Sequence, residues 1–336
     1  MAKYLFVLGR DVELSKAELF SIFNEKSIYQ EDNFLIFDMD SLNINIKNFS
    51  GLVKIGKEIL LEDIVFNEDK IKLITNSGKL AAYFKDKCKE LGIKYTINAV
   101  DSMDIKMSDF EILEVDNKYF KIIQVTNTRE YKLRDGNRPR FDEKKVISIR
   151  LAGILINLSK AEKEVLDPFC GTGTIMQEAL LKGLNAYGSD LKVDDAKENL
   201  EWLKKNFNFN GKYLLFQDDV KNLSKHIKSA ECIVSEPDLG PYWTKYPSKQ
   251  EAWKALDSLK ITYENFLKEA SKIVRKRIVF LTPIIKTNDK KEARLDFESL
   301  IKKYGFYAEH KPIKYSLKRS FIIREIWVLE RFKNEF

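Results

Sequence analysis

The chain has 336 residues, 58 of them basic and 51 acidic, and a net charge of +7. This length allows two or three domains, and the composition is typical of a soluble globular protein. The early charges do not fit a secretory signal, and the apolar runs are too short to span a bilayer, so no membrane contact and a cytoplasmic location are expected. Three cysteines and two histidines, all far apart, indicate neither a disulfide framework nor a metal site.

The surplus positive charge is concentrated in one segment. Residues 245–336 carry 22 basic and 12 acidic side chains, whereas residues 1–150 carry 25 of each. A localised basic surface is typical of proteins that bind RNA, although a solvated basic face would give the same count. A second basic group, which we predict to contact RNA phosphates, consists of Arg129, Lys132, Arg134, Arg138 and Arg140.

The first domain is predicted to be a small α+β unit over residues 1–65. Alternating residues 3–9 predict a strand, residues 14–23 a helix and residues 33–38 another strand. Residues 52–59 are apolar and fit a strand or a helix equally well. No catalytic constellation accompanies these elements.

A second small α+β unit is predicted over residues 66–128. Residues 69–91 are rich in lysine, with apolar residues at helical spacing, and residues 94–100 predict a strand. Two alternating runs joined by an Asp-Asn pair predict a hairpin over residues 111–125. Residues 127–145 are polar and are predicted to be irregular.

The remaining domain, residues 129–336, changes at residue 146 to an alternation of strands and helices. This pattern predicts an α/β fold with a mostly parallel sheet covered by helices on both faces, which binds ligands at the carboxyl ends of its strands. The predicted helices are 146–158, 174–182, 194–206 and one within 250–274; the strands are 164–166, 186–188, 213–216, 232–234 and 278–281, with a terminal antiparallel pair at 306–309 and 323–329.

The strongest chemical signal lies where the first of these strands meets a helix. Two glycines in this segment allow a tight turn and close approach of a ligand to the backbone, and the helix that follows offers free amide groups to an anion. The residues predicted to bind a cofactor here are Asp167, Pro168, Cys170, Gly171, Gly173 and Thr174.

The composition of this loop indicates which class of nucleotide-like ligand it can bind. It has no lysine after the glycines, which excludes a phosphate-cradling NTPase loop, and it lacks the third glycine of the dinucleotide fingerprint. S-adenosylmethionine (SAM) carries a carboxylate, an amine, a sulfonium and an adenosine but no phosphate, so an acidic residue at the loop entry suits it. A purely structural turn is the alternative.

Carboxylates at two further strand ends support the cofactor interpretation. Asp190 follows the loop by about 20 residues, where a strand-end carboxylate can accept both ribose hydroxyls. Asp218 and Asp219 end the third strand, where a carboxylate can accept the adenine amine. Helix caps and surface turns are the alternative roles for these side chains.

The run Asp-Pro-Phe-Cys-Gly-Thr-Gly-Thr at 167–174, followed by Gly-Ser-Asp at 188–190, resembles the tRNA guanosine N2-methyltransferases that act on position 10, in the wider THUMP-associated group. The segment Arg-Asp-Gly-Asn-Arg-Pro at 134–139 and the opening Tyr-Leu-Phe-Val-Leu-Gly-Arg at 4–10 are also similar to that family. The resemblance implies a Rossmann-like, seven-stranded methyltransferase sheet preceded by small α+β, THUMP-like domains that bind RNA. It also implies methylation of a guanine exocyclic amine in tRNA.

The catalytic motif departs from that family. Its amino-methyltransferases carry Asp-Pro-Pro-Tyr-Gly after the fourth strand, where this chain has Glu236, Pro237, Asp238, Leu239 and Gly240. By this alignment Glu236 and the Pro237 carbonyl accept hydrogen bonds from the target amine and Asp238 replaces the second proline. Leu239 cannot stack on a base as an aromatic ring would.

Three hypotheses follow from these residues. The first is a SAM-dependent tRNA guanine-N2 methyltransferase, and the second changes the acceptor to another exocyclic amine in ribosomal RNA or DNA. The third is a degenerate methyltransferase that serves as an RNA-binding or partner subunit. The sequence leaves open the modified nucleotide, mono- or dimethylation, and the need for an activating protein subunit.

Overall fold

The computed structural model describes residues 2–23, 27–66, 69–99, 110–141, 147–316 and 320–332. Val100 and Val146, which belong to predicted elements, lie outside these ranges. The chain divides into two compact units, Met1–Glu130 and Tyr131–Phe336. Within the described ranges, no helix is both long and apolar enough to cross a membrane.

Eight strands in the described part of the first unit form one sheet in the order β2-β3-β1-β4-β8-β7-β5-β6, accompanied by two α-helices. Most pairs are antiparallel, but β5 runs parallel to both β6 and β7. The elements are β1 (Ala2–Leu8), α1 (Val12–Ile22), β2 (Tyr29–Glu31), β3 (Phe34–Met39), β4 (Leu52–Ile59), β5 (Lys70–Thr75), α2 (Gly78–Glu90), β6 (Lys94–Ala99), β7 (Phe110–Val115) and β8 (Lys118–Val125).

Local sequence explains several of these elements. The predicted hairpin is confirmed as β7–β8, and both turn residues, Asp116 and Asn117, have positive φ of 52° and 55°, as a type I′ turn requires. The ambiguous segment 52–59 is the strand β4, which lies between β1 and β8. Strand β4 joins the strands on both sides of residue 65 into one sheet. The division into two small domains at that residue stays a prediction.

The structure corrects two expectations. The lysine-rich segment 69–91 is not one helix, since β5 precedes α2 within it. Residues 127–145 are not irregular throughout, because Thr128–Asn137 forms the helix α3. In β5 every second residue up to Leu73 is buried, so Ile71 and Leu73 face the core while Lys70 and Lys72 are exposed.

The second unit has the predicted strand–helix alternation. Its described elements, beginning with α3, which crosses the boundary between the units, are α3 (Thr128–Asn137), α4 (Ile149–Ser159), β9 (Glu164–Asp167), α5 (Thr174–Leu181), β10 (Asn185–Asp190), α6 (Asp194–Asn206), β11 (Tyr213–Gln217), α7 (Leu223–His226), β12 (Ala230–Ser235), α8 (Lys249–Ile273), β13 (Val274–Lys286), β14 (Glu292–Ala293), α9 (Phe297–Lys303), β15 (Phe306–Ala308), β16 (Ile313–Tyr315) and β17 (Ile322–Arg331).

The sheet of the second unit has the order β11-β10-β9-β12-β13-β17-β15, with β14 and β16 on side branches. The pairs from β11 to β13 are parallel, and β17 runs antiparallel to β13 and β15. Strand order therefore reverses between β9 and β12. In open α/β sheets a ligand binds outside the carboxyl ends of the strands at such a switch point, which here places the glycine loop and Glu236 at the same edge.

A large apolar cluster supports this edge of the sheet. Helix α8 begins with a capping box in which Ser248 and Glu251 satisfy each other's backbone N–H groups. It buries Tyr263, Phe266 and Leu267 against the sheet, and the Phe266 ring meets Phe169 of the glycine loop edge-on at 5.6 Å. Packing against the core thus limits the freedom of the loop.

Candidate active site

The glycine loop lies between the end of β9 and the start of α5. Gly171 and Gly173 have φ of +50° and +81°, a region that residues with a Cβ rarely adopt. A Cβ at Gly173 would also lie 3.3 Å from the Cβ of Ala196 on α6. The Cys170 N–H donates to the Ser189 carbonyl at 3.0 Å, which fixes the loop against β10.

A third glycine, Gly188 on β10, is required by packing. A Cβ there would lie 2.3 Å from the sulfur of Met176 and 3.1 Å from the sulfur of Cys170. Cys170 is buried, and its burial raises the pKa of the thiol, as expected of a small packing residue of the loop rather than a nucleophile. The sequence alone contains no signal that a side chain at position 188 would collide with the loop.

Asp190, at the end of β10, holds the loop directly. Its Oδ2 accepts the Gly171 N–H at 2.9 Å, and its Oδ1 accepts the Lys192 N–H at 3.3 Å. The structure therefore brings together the two predicted parts of the cofactor site, although the ribose contact itself stays a prediction.

Asp167, at the end of β9, is a buried carboxyl group with 2% exposure. Its Oδ1 accepts the Ser235 hydroxyl at 2.5 Å and the Phe169 N–H at 3.1 Å. Burial raises the pKa of Asp167 to about 7, and the hydrogen bond from Ser235 opposes that rise. Ser235, which links the ends of β9 and β12, was not singled out from the sequence, where it is one small residue in an apolar strand.

The carboxylates beyond β11 have different surroundings. Asp218 accepts hydrogen bonds from Asn222 at 2.8 Å and contacts His226 at 2.7 Å, and the Asn222 bond first, then the His226 bond, lower its pKa to about 2. Asp219 caps a 3-10 turn by accepting the Lys221 N–H at 3.0 Å. Each has a local structural role, and contact of either with adenine stays a prediction.

The segment after β12 carries the proposed catalytic motif. Glu236 accepts a hydrogen bond from Arg324 of β17 at 2.7 Å, and Pro237 is buried. The Asp238 side chain turns back to accept the Gly240 N–H at 2.9 Å, while its carbonyl accepts the hydroxyl of the buried Tyr263 at 3.0 Å. Asp238 thus shapes the turn instead of pointing a free carboxylate at a substrate.

Aromatic residues follow this motif. Tyr242 is 69% exposed, whereas the indole N–H of Trp243 is buried and has no hydrogen-bond partner among the described residues. Tyr246 is 53% exposed and meets the Phe321 ring edge-on at 4.9 Å. Stacking on the base by Tyr242 or Trp243, in place of the aromatic residue missing at Leu239, stays a prediction.

The structure separates the predicted RNA-binding residues into two groups. Arg134 is buried and forms a two-point ion pair with Glu178 of α5, with both distances 3.1 Å. Arg138 is also buried and donates to the Thr174 hydroxyl at 2.8 Å, directly beside the glycine loop. Phosphate contacts therefore do not fit Arg134 and Arg138, which instead fasten α3 and the following turn to α5.

The other three basic residues, Arg129, Lys132 and Arg140, are exposed. Arg140 forms a two-point ion pair with Glu198 at 2.8 Å, with its side chain 51% exposed. A surface pair of this kind contributes little to stability and exchanges readily for another anion. The phosphate-contact prediction is retained for these three residues.

The strand order, the glycine loop and the acidic strand ends define a Rossmann-like methyltransferase domain. The crystal structure of TrmN from Thermus thermophilus has this fold, with a TM-score of 0.54, 16% sequence identity, and coverage of 98% of this chain and 100% of that one. The family model of the RMKL-like methyltransferase domain matches residues 136–304, half of the chain. The chain belongs to this family.

Two curated proteins illustrate how far the sequence similarity extends. A tRNA (guanine(10)-N2)-dimethyltransferase from Pyrococcus abyssi is 32% identical over 137 residues, which cover 39% of this chain and 40% of that protein. A tRNA (guanine(10)-N2)-dimethyltransferase from Methanocaldococcus jannaschii is 28% identical over 184 residues, 51% of each protein. The chain thus matches about half or less of the length of these relatives.

Proposed function

We propose that this protein is a SAM-dependent methyltransferase that modifies the N2 amine of a guanosine in tRNA. The observation that carries the proposal is the joining of three strand ends at the switch point, where Asp190 holds Gly171 and Ser235 holds Asp167. The names of the relatives from Pyrococcus and Methanocaldococcus support tRNA as the substrate class and guanine N2 as the acceptor.

The residues at this edge fit SAM. The Asp167 carboxyl group suits the amine of the methionine part, and α5 begins at Thr174 without a side-chain cap, so its first N–H groups remain available to the SAM carboxylate. Asp190 suits the ribose hydroxyls and the carboxylates after β11 suit the adenine amine. SAM supplies a methyl group bonded to a sulfonium, and no metal is needed for this chemistry.

The protein's own residues would prepare the acceptor. The lone pair of a guanine amine is delocalised into the ring, so the amine is a poor nucleophile. Glu236 and the Pro237 carbonyl would accept hydrogen bonds from the amine, hold it in line with the methyl group, and stabilise the positive charge that develops on nitrogen. A carboxylate does this better than a neutral amide.

The tRNA would be held mainly by charge. Arg129, Lys132 and Arg140 supply one set of phosphate contacts in this proposal, and the basic segment 245–336 supplies the other. Binding should weaken steeply as salt is raised. The need for an activating protein subunit is a separate proposal.

The altered motif at Glu236–Gly240 keeps a second candidate, a remnant that binds RNA without catalysis. Against it, the loop retains the buried carboxyl group of Asp167, which is a costly feature for a protein that no longer binds a cofactor. Methylation of an exocyclic amine in ribosomal RNA or DNA is the alternative within the enzyme class.

The test is incubation of the protein with unmodified tRNA and isotopically labelled SAM, followed by mass spectrometry of the nucleosides. The proposal expects labelled N2-methylguanosine, and label on another base or on DNA alone would overturn it. Calorimetry of Asp190→Ala checks the cofactor site separately. Loss of the ribose hydrogen bonds should weaken SAM binding by about 1–3 kcal/mol for each bond, and unchanged affinity would refute that position for the ribose.

A further inference from the structure

The partner of Glu236 was not foreseen from the sequence, and it lies at the same edge of the sheet. Arg324 belongs to β17, where it pairs with Pro283 of β13, three residues before the end of that strand. Its Nε donates to Glu236 Oε1 at 2.7 Å, and the two side chains are only 17% and 12% exposed. A carboxylate and a guanidinium thus stand side by side, largely out of water, where the target amine is expected.

The hydrogen-bonding capacity of this pair is not used up. A guanidinium has several N–H donors in a fixed planar fork, and a carboxylate has two acceptor oxygens. Among the residues that the structure describes, Glu236 is the one hydrogen-bond partner of the Arg324 side chain, and no nitrogen of Arg324 is among the buried side-chain atoms that lack a partner. The pair therefore presents an acceptor oxygen and, beside it, a donor to whatever enters the site.

We propose that Arg324 is a specificity residue that donates a hydrogen bond to O6 of the target guanine while Glu236 accepts from its N–H groups. This inference rests on the proposed function. The Watson–Crick edge of guanine carries the N2 amine and N1–H as donors, followed by O6 as an acceptor. An acceptor from Glu236 next to a donor from Arg324 is the complementary order, and arginine is well suited to guanine oxygen.

The surroundings of Arg324 support a base at this place. Phe321 lies just before β17, three residues from Arg324, and its ring meets the exposed Tyr246. The beginning of β17 thus has an aromatic pair just before the strand and a charged donor, Arg324, at its third residue. In contrast, Arg294 pairs with Glu325, the neighbouring residue of β17, which projects to the opposite face of the sheet. Arg294 is therefore an arginine of a nearby ion pair away from the proposed base, and it serves as the control.

The experiment compares two tRNA substrates for Arg324→Met and the wild-type protein. One carries guanosine at the methylated position mapped by mass spectrometry, and the other carries 6-thioguanosine, whose sulfur is a weak acceptor. The substitution should lower kcat/KM for guanosine roughly ten- to a hundredfold, the scale of one charge-assisted contact to a base. It should change kcat/KM for 6-thioguanosine much less, because that contact is already lost.

Controls separate folding from recognition. Arg324→Lys keeps the charge beside Glu236 but not the planar fork, and it should recover only part of the guanosine rate. Arg294→Met should leave the ratio between the two substrates unchanged, and SAM affinity by calorimetry reports whether each variant is folded. Equal losses on both substrates for Arg324→Met overturn the inference alone. No methyl transfer by the wild-type protein to any tRNA overturns the proposed function and the inference together.

Discussion

The buried carboxyl group of Asp167 predicts an unusual dependence of stability on pH. The usual pKa is 3.8, and burial raises it to about 7 in the folded protein. Below pH 3.8 the group is protonated in both states. Between these two values the unfolded chain releases the proton while the folded protein retains it, so the free energy of unfolding falls as pH rises.

The magnitude follows from the two pKa values. The difference between a pKa of 3.8 and one of about 7 corresponds to a loss of about 4 kcal/mol in the free energy of unfolding, at about 1.4 kcal/mol for each tenfold change in proton affinity. Asp167→Asn removes the charge but keeps an oxygen that can accept from Ser235 and Phe169. The substitution should stabilise the protein, and the gain should grow by about 3 kcal/mol between pH 5 and pH 8.

The assay is urea unfolding of the wild-type protein and Asp167→Asn at both pH values, in which all other titrations cancel in the difference. Asp296→Asn is the matched control. The Ser299 hydrogen bond lowers the pKa of Asp296, so Asp296 is ionised in both states and its difference from wild type should be flat over this range. A pH-independent difference for Asp167→Asn would refute the reasoning. At pH 8, where most of the Asp167 carboxyl groups are ionised, the same variant should bind SAM more weakly, because the acceptor for the SAM amine has lost its charge.

Three further predictions follow from packing and charge. Arg134→Met leaves its carboxylate partner on α5 buried without a counter-charge, which should cost about 3–5 kcal/mol in urea unfolding; a flatter salt dependence of tRNA binding with unchanged stability would instead indicate a phosphate contact. Gly188→Ala forces a methyl group to within 2.3 Å of the Met176 sulfur and should cost about 1–3 kcal/mol and weaken SAM binding, whereas Gly136→Ala, with open space around it, should do neither. Tyr246→Ala should raise KM for tRNA by the equivalent of about 1–3 kcal/mol without changing SAM affinity if the ring stacks on the base, and an unchanged KM would exclude that role.

The second unit could be predicted well because its signals are local. Each parallel strand is a short apolar run, and the glycine loop, the helix that follows and Asp190 occur at fixed spacing. The strands β9 to β13 and the helices α4 to α8 therefore occur close to their predicted positions, except that α7 is a short helix without apolar periodicity. The hairpin β7–β8 was equally clear, since Asp116 and Asn117 favour positive φ.

The failures have physical causes. Strand β5 was merged with α2, because Lys70 and Lys72 extend the lysine-rich composition of the helix into a strand whose alternate residues are buried. Helix α3 has weak amphipathic character, and its arginines were predicted to contact RNA phosphates. Whether Arg134 faces RNA or Glu178 depends on where α5 packs, and no sequence pattern contains that information.

The residues of the candidate site also fall into those with a signal in the sequence and those that depend on the folded sheet. Asp167 and Asp190 follow from strand-end positions that the alternation of elements predicts, and Glu236 follows from alignment with the catalytic motif of the family that the sequence resembles. Ser235 and Arg324 could not be found in this way, because each meets its partner only through the strand order of the folded sheet. Arg324 is 88 residues from Glu236 in the chain, and the contact depends on β17 inserting beside β13.

The central claim is that Glu236 acts on the target amine, so that the protein is an active enzyme and not a remnant that binds RNA without catalysis. It is tested by the single-turnover rate of methyl transfer to tRNA at saturating SAM, compared between the wild-type protein and Glu236→Gln. The glutamine keeps the size and an acceptor oxygen but loses the charge, so the rate should fall while SAM affinity stays the same. Glu236→Ala should lose about a hundredfold or more, and the glutamine should retain part of the activity. Equal rates per SAM-bound molecule in all three proteins would contradict the catalytic role of Glu236.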